Sequence, residues 1–107
     1  MRTLVIYDIS HDGTRAKIAD ACLDYGLERL QQSAFIGELS PSQQRELFLK
    51  MRQRLGRHGA NIQLFALDER AWASRRVIIR AEPMPVEDES QRVQKEASDG
   101  GEDSASY

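Results

Sequence analysis

The fold class that the sequence predicts is α+β: an antiparallel sheet with two helices packed on one face. Three observations predict it. The chain opens on a run of branched and aromatic residues, 3–9, that reads as a strand. Two stretches, 14–25 and 41–57, space their apolar residues at helical intervals. Each helical stretch is followed by extended signals, so the order is strand, helix, strand, strand, helix, strand.

Each element has its own signals. Residues 10–14, Ser-His-Asp-Gly-Thr, read as a turn in which Asp12 or Ser10 caps the first helix. That helix carries Ile18, Cys22 and Tyr25 on one face, and Gly26 suits a left-handed helix end. Extended signals recur at 27–31 and 33–37, giving two short strands and a tight bend. Ser40, Pro41 and Gln43 form a capping box with proline at the first helical position. The second helix runs to about residue 57, with Leu47, Phe48, Met51 and Leu55 as its apolar stripe and His58-Gly59 as its stop. Residues 61–67 read as the fourth strand, with Ile62, Phe65 and Leu67 apolar and Gln63 between. Residues 68–75 form a connector with room for one helical turn, and Trp72 is its large apolar group. Residues 77–79 read as a very short fifth strand.

Together these elements specify a ferredoxin-like βαββαβ sandwich with a short extra C-terminal strand, over residues 1–82. Helices on one face leave the other face of the sheet bare. Two copies stacked sheet on sheet would cover it, so a symmetric homodimer is expected. A three-residue strand is too short to persist alone and suits the edge of a partner's sheet. Residues 83–107 form an acidic tail, and its poverty in apolar residues predicts disorder over 87–107.

The overall charge of −2 conceals an asymmetry. Residues 82–107 hold eight acidic and two basic side chains, whereas 1–81 hold nine acidic and thirteen basic ones. A mildly basic body is compatible with phosphate-bearing partners. One cysteine, Cys22, excludes an intrachain disulfide and fits a reducing cytoplasm. No apolar run is long enough to suggest a membrane span, and no leader suggests secretion. There is no HxH, HExxH or CxxC pattern for zinc and no glycine-rich phosphate loop.

Asp8 is the residue most open to chemistry. As a bland strand-end carboxylate it would cap the following turn. Near a two-fold axis it would meet its own copy, and two close carboxylates repel unless a cation lies between them. A hard ion such as Mg²⁺ accepts few carboxylates plus water, and it can activate water or steady a phosphate. The basic residues Arg15, Lys17 and Arg29 flank that end of the first strands, Arg52, Arg54 and Arg57 follow the second helix, and Arg75, Arg76 and Arg80 surround the last strand. They read either as a solvated face or as a track for a nucleic-acid backbone. His11 and His58 are weak candidates, in a turn and at a helix end. Cys22, Phe48 and Met51 read as core, and Trp72 as packing or an interface anchor.

YDIS at the end of the first strand, DYGLERLQQSAFIG at 24–37 and RRVIIR at 75–80 resemble the small CRISPR-associated Cas-two family, the partner of the CRISPR integrase. The resemblance covers about residues 1–82. It implies a ferredoxin-like homodimer whose paired aspartates hold Mg²⁺ or Mn²⁺. It implies metal-dependent endonuclease activity on single-stranded RNA or duplex DNA, and a role as the bridge between two integrase dimers during capture of foreign DNA. Asp8 is then the metal ligand and catalytic residue, with Tyr7, Arg15, Lys17, Arg29, Ser33 and Phe35 around the substrate. The chain departs from the pattern at Gln32, where an aromatic residue is common, at Lys17, where arginine is, and at Ala34, where valine is. DNA bridging is therefore the stronger expectation and nuclease action the second. A regulatory or toxin-like ribonuclease domain of the same fold, unrelated to CRISPR, is the alternative.

Overall fold

The computed structural model describes residues 1–83. It separates into two units: residues 1–76, and a second beginning at Val77. The first unit contains β1 (Arg2–Asp8), α1 (Asp12–Asp24), β2 (Glu28–Gln31), β3 (Ala34–Glu38), α2 (Pro41–Leu55), β4 (Asn61–Leu67) and α3 (Glu69–Ala73). The four strands form one antiparallel sheet in the order β2-β3-β1-β4. That is the α+β arrangement expected, with the connector at 68–75 supplying the helical turn.

Pleating sorts β1 between two faces. Thr3, Val5 and Tyr7 are buried under the helices, while Arg2, Leu4, Ile6 and Asp8 alternate onto the other face. The core is Val5, Tyr7, Ile9, Ile18, Cys22, Leu27, Phe35, Leu39, Leu47 and Met51, with smaller alanines between them. Ile62 and Leu64 of β4 pack against this core. Phe65 and Leu67 have the opposite parity, so Phe65 joins Leu4 and Ile36 in a row across the open face.

Several boundaries and packing assignments need correction. The cap of α1 is His11, not Asp12 or Ser10, because Asp12 is already the first helical residue. The His11 ring accepts from the Thr14 amide at 3.1 Å, and Asp12 instead pairs with Arg15. The helix α2 ends at Leu55, where Gly56 at φ 59° turns the chain in a conformation other residues resist, ahead of His58-Gly59. Its start is as read: Ser40 Oγ accepts from the Gln43 amide, and Gln43 returns the bond to Ser40. Phe48 is 42% exposed and is not core. Leu47 and Met51, one turn apart, make the buried line, and Phe48 lies a hundred degrees round the helix from Leu47. The Trp72 ring has the guanidiniums of Arg2 and Arg75 over it, at 4.8 and 3.8 Å.

The fifth strand is not formed. Among the described residues, 77–79 has no ladder partner, and Ile78 and Ile79 are 88% and 91% exposed. Three residues give too few hydrogen bonds to hold an extended ladder without a neighbouring edge. The tail from 84 to 107, including the expected disorder at 87–107, lies outside the described residues.

One close approach holds β2 and β3 in place. A Cβ on Gly37 would sit 2.7 Å from Leu27 Cδ2 and 3.2 Å from Leu27 Cα. The side chain of Leu27 can give way, but its backbone cannot do so without moving the α1–β2 turn. Gly37→Ala is expected to cost about 1–3 kcal/mol, read as a lower urea midpoint with the slope unchanged.

Candidate active site and nucleic-acid interface

The chain reversal after β1 places two different chemistries back to back. Tyr7 is the last inward residue of β1 and Asp8 the last outward one. On the inward side the Tyr7 ring stacks on Phe35 of β3, with centroids 6.3 Å apart and planes 20° apart. The Arg29 guanidinium of β2 lies 4.7 Å from the centre of the Phe35 ring. It also donates to the Gln32 carbonyl, which pins the β2–β3 turn. The Tyr7 amide donates to the Ser33 carbonyl at 3.0 Å, tying the same turn to β1. Arg15 of α1 donates to the Ile9 carbonyl at 2.9 Å and pairs with Asp12.

The expected substrate residues Tyr7, Arg29, Ser33 and Phe35 are therefore one cluster, and Arg15 stands beside it. Burial pushes the Tyr7 hydroxyl above its ordinary range, against the opposing pull of the nearby Arg29 and Arg15. Tyr7 is thus a neutral phenol at neutral pH. Cys22, buried below it, is pushed up to about 12 by desolvation, so it is a structural thiol and not a nucleophile. Lys17 stays outside the cluster. It is exposed on α1, and its backbone carbonyl accepts from Arg54.

On the outward side Asp8 is exposed, and no described residue hydrogen-bonds its carboxylate. It pairs in register with Asn61 of β4. A polar cleft at this end of the sheet is lined by Asp8, Ser10, His11, His58, Gly59, Ala60 and Asn61. Within it the imidazoles of His11 and His58 stack, with centroids 4.0 Å apart and planes 18° apart. Sequence reasoning ranked both histidines low, and nothing in their spacing announces the contact. The fold makes it, because α1 begins and α2 ends at the same edge.

The cleft offers hard oxygen donors of the type Mg²⁺ and Mn²⁺ take: the Asp8 carboxylate, and the Asn61 amide oxygen, which also accepts from Gln63 Nε2 at 3.1 Å. Among the described residues no three His, Cys, Asp or Glu side chains group to hold an ion. Asp8 and Asn61 would hold such an ion only in part, and a second copy or substrate phosphates would have to complete its donor set. Among the described residues no helix is long and apolar enough to cross a membrane.

Comparison with known proteins gives this arrangement a context. The family model described as CRISPR associated protein Cas2 matches residues 1–75. The chain is 53% identical over 78 residues to the CRISPR-associated endoribonuclease Cas2 2 of Chloroflexus aurantiacus, which covers 73% of this chain and 92% of that protein. Among solved structures, Streptococcus pyogenes Cas2 at pH 6.5 superposes with a TM-score of 0.62 at 22% identity, over 73% of this chain and 99% of that one. A chain of a partial Cas6-RT-Cas1–Cas2 complex superposes with a TM-score of 0.61 at 28% identity, over 72% and 89%. Residues 1–75 carry the strand-end aspartate, the aromatic–arginine cluster and the four-stranded sheet, and on this match the chain belongs to the CRISPR-associated Cas2 family.

Proposed function

We propose that this protein is a CRISPR adaptation factor: a homodimer that binds duplex DNA and bridges integrase dimers during spacer acquisition. We propose also that Asp8 and its two-fold mate support Mg²⁺- or Mn²⁺-dependent cleavage of phosphodiester bonds in RNA or DNA. Its place of action is the cytoplasm. The observation that carries the reading is the family match over residues 1–75, which spans both Asp8 and the Tyr7–Phe35–Arg29 cluster. The relative named an endoribonuclease supports cleavage, and the structural neighbour from a Cas1–Cas2 complex supports the integrase partner. The independent regulatory or toxin-like reading has no comparable support.

Two apolar features support the dimer reading. Leu4, Ile36 and Phe65 line the open sheet face, with Phe65 41% exposed. Val77, Ile78 and Ile79 are exposed as a separate apolar strip. Burying such surface against a second copy stabilises a pair at roughly 25 cal/mol per Å² of apolar area. Asp8, on that same face of β1, is then brought toward its counterpart. In the site as proposed, the bound cation would supply Lewis-acid stabilisation of the phosphate. Asp8 would hold it, Arg15 and Arg29 would orient the backbone by charge, and Phe35 would keep Arg29 in place.

Phe65→Asp tests the dimer and the bridge together. It puts a charge into the expected sheet-to-sheet contact. Sedimentation is expected to show monomer at concentrations where the parent is dimeric. Co-elution of the variant with a Cas1 integrase and duplex DNA is expected to be lost. A variant that stays dimeric and still assembles with the integrase would refute the sheet-stacked bridge.

A further inference from the structure

We propose that His58 is the general acid of the Asp8 site, a role that rests on the phosphodiesterase reading above. Hydrolysis of a phosphodiester needs a proton for the departing oxygen, and a carboxylate that holds a cation does not supply one. The groups lining the cleft with Asp8 are Ser10, His11, His58, Gly59, Ala60 and Asn61. Of these side chains only the two imidazoles carry a ring nitrogen that can bind and release a proton.

The two rings are not equivalent. His11 Nδ1 accepts from the Thr14 amide at 3.1 Å and lies 2.8 Å from Thr14 Oγ1. That lone pair is committed to capping α1, and the cap stands only while Nδ1 carries no proton. His58 has no such duty. It is exposed, and no described residue hydrogen-bonds its ring. Stacking at 4.0 Å against the anchored His11 ring restrains the plane of His58, and His58 lines the same cleft as Asp8. His58 follows the end of α2 and precedes Asn61, the register partner of Asp8, so the backbone holds acid and carboxylate at one edge of the sheet. His11 is then a positioning residue and His58 the proton donor.

The step balances simply. Water adds its oxygen to phosphorus and loses one proton to solvent. The bond from phosphorus to the leaving oxygen breaks, its electron pair stays on that oxygen, and His58 gives the oxygen a proton. Solvent reprotonates the imidazole.

A leaving-group substitution tests this. Cleavage of an RNA or DNA oligonucleotide with Mg²⁺ would be compared with that of the same strand carrying sulfur in place of the leaving oxygen, which departs without a proton. His58→Gln is expected to slow the oxygen substrate by about 10²–10⁴-fold and the sulfur substrate by less than about threefold. Equal slowing of both, or slowing of neither, would overturn the proposal. A parent protein that cleaves neither substrate would overturn the phosphodiesterase reading itself, which separates the two failures. A second measurement needs no turnover. Imidazole NMR signals would be followed with the oxygen oligonucleotide added in chelator. The His58 signals are expected to shift by more than those of His11. Unmoved His58 signals would place the phosphate elsewhere and reject the role.

Discussion

Asp8→Ala is expected to remove Mg²⁺-dependent cleavage, by roughly 10²–10³-fold or to background, without lowering the unfolding midpoint. The rate term follows from the cation: a Lewis acid on a phosphate contributes several kcal/mol, and each 1.4 kcal/mol is tenfold. The absence of a stability term follows from the geometry. Asp8 is exposed at the end of β1, and no described residue hydrogen-bonds its carboxylate. Truncating such a group changes stability by about 0.5 kcal/mol or less. Two carboxylates brought together across a two-fold axis without a cation would repel, so the alanine dimer is expected to be no weaker in chelator than the parent. Asp8→Asn keeps shape and hydrogen-bonding capacity but removes the charge, and it is expected to match alanine if the role is cation binding. Spacer acquisition in cells is the deciding readout between the two proposed functions. If bridging dominates, Asp8→Ala acquires spacers at close to the parental rate. If acquisition stops while the dimer and its integrase complex persist, the chemistry at Asp8 is part of the pathway, and a purely structural role is wrong.

The fold was readable from local signals because those signals agree with the tertiary answer. Ser40, Pro41 and Gln43 build their capping box within four residues, and Gly26 ends α1 at φ 80°, so no distant contact decides either. The β1 strand was legible as an extended apolar run, but Leu4, Val5, Ile6 and Tyr7 are all apolar, so only the fold tells which of them face the helices. The errors have one source. Phe48 is apolar at a position where periodicity points to a core, yet it lies on a face that a single chain does not cover. Hydrophobic patterning records what is apolar, not what covers it. Residues 77–79 are a related case in the backbone: three apolar residues in a row do not make a strand without a partner edge. At the site, the motif carries Tyr7, Arg29, Ser33 and Phe35, and the fold stacks Tyr7, Phe35 and Arg29 while the Tyr7 amide donates to the Ser33 carbonyl. The resemblance groups Lys17 with them, but Lys17 is exposed on α1. The His11–His58 stack had no signal at all, since it depends on where α1 begins and α2 ends.

Phe35→Ala is expected to produce the largest loss of stability of any single truncation in the aromatic cluster, about 3–5 kcal/mol. Phe35 is fully buried as the second residue of β3, opposite Val5 of β1. Its removal would leave Tyr7 without its stacked partner and Arg29 without the ring beneath its guanidinium. A small domain has only about 5–15 kcal/mol in total, so the thermal midpoint is expected to fall by 15 °C or more. Phe35→Leu separates the two consequences. Leucine refills most of the volume and is expected to cost about 1–2 kcal/mol, but it offers Arg29 no ring face. Arg29→Ala does the reverse, removing an exposed cation while leaving the core whole. Nucleic-acid affinity, measured at a temperature where all three variants remain folded, then tells what the stack is for. If Phe35 serves to present Arg29 to a phosphate backbone, Phe35→Leu and Arg29→Ala weaken binding alike, and the salt dependence of each falls by about one counterion. If Phe35→Leu binds like the parent, the ring is core alone, and Arg29 reaches the phosphate without it.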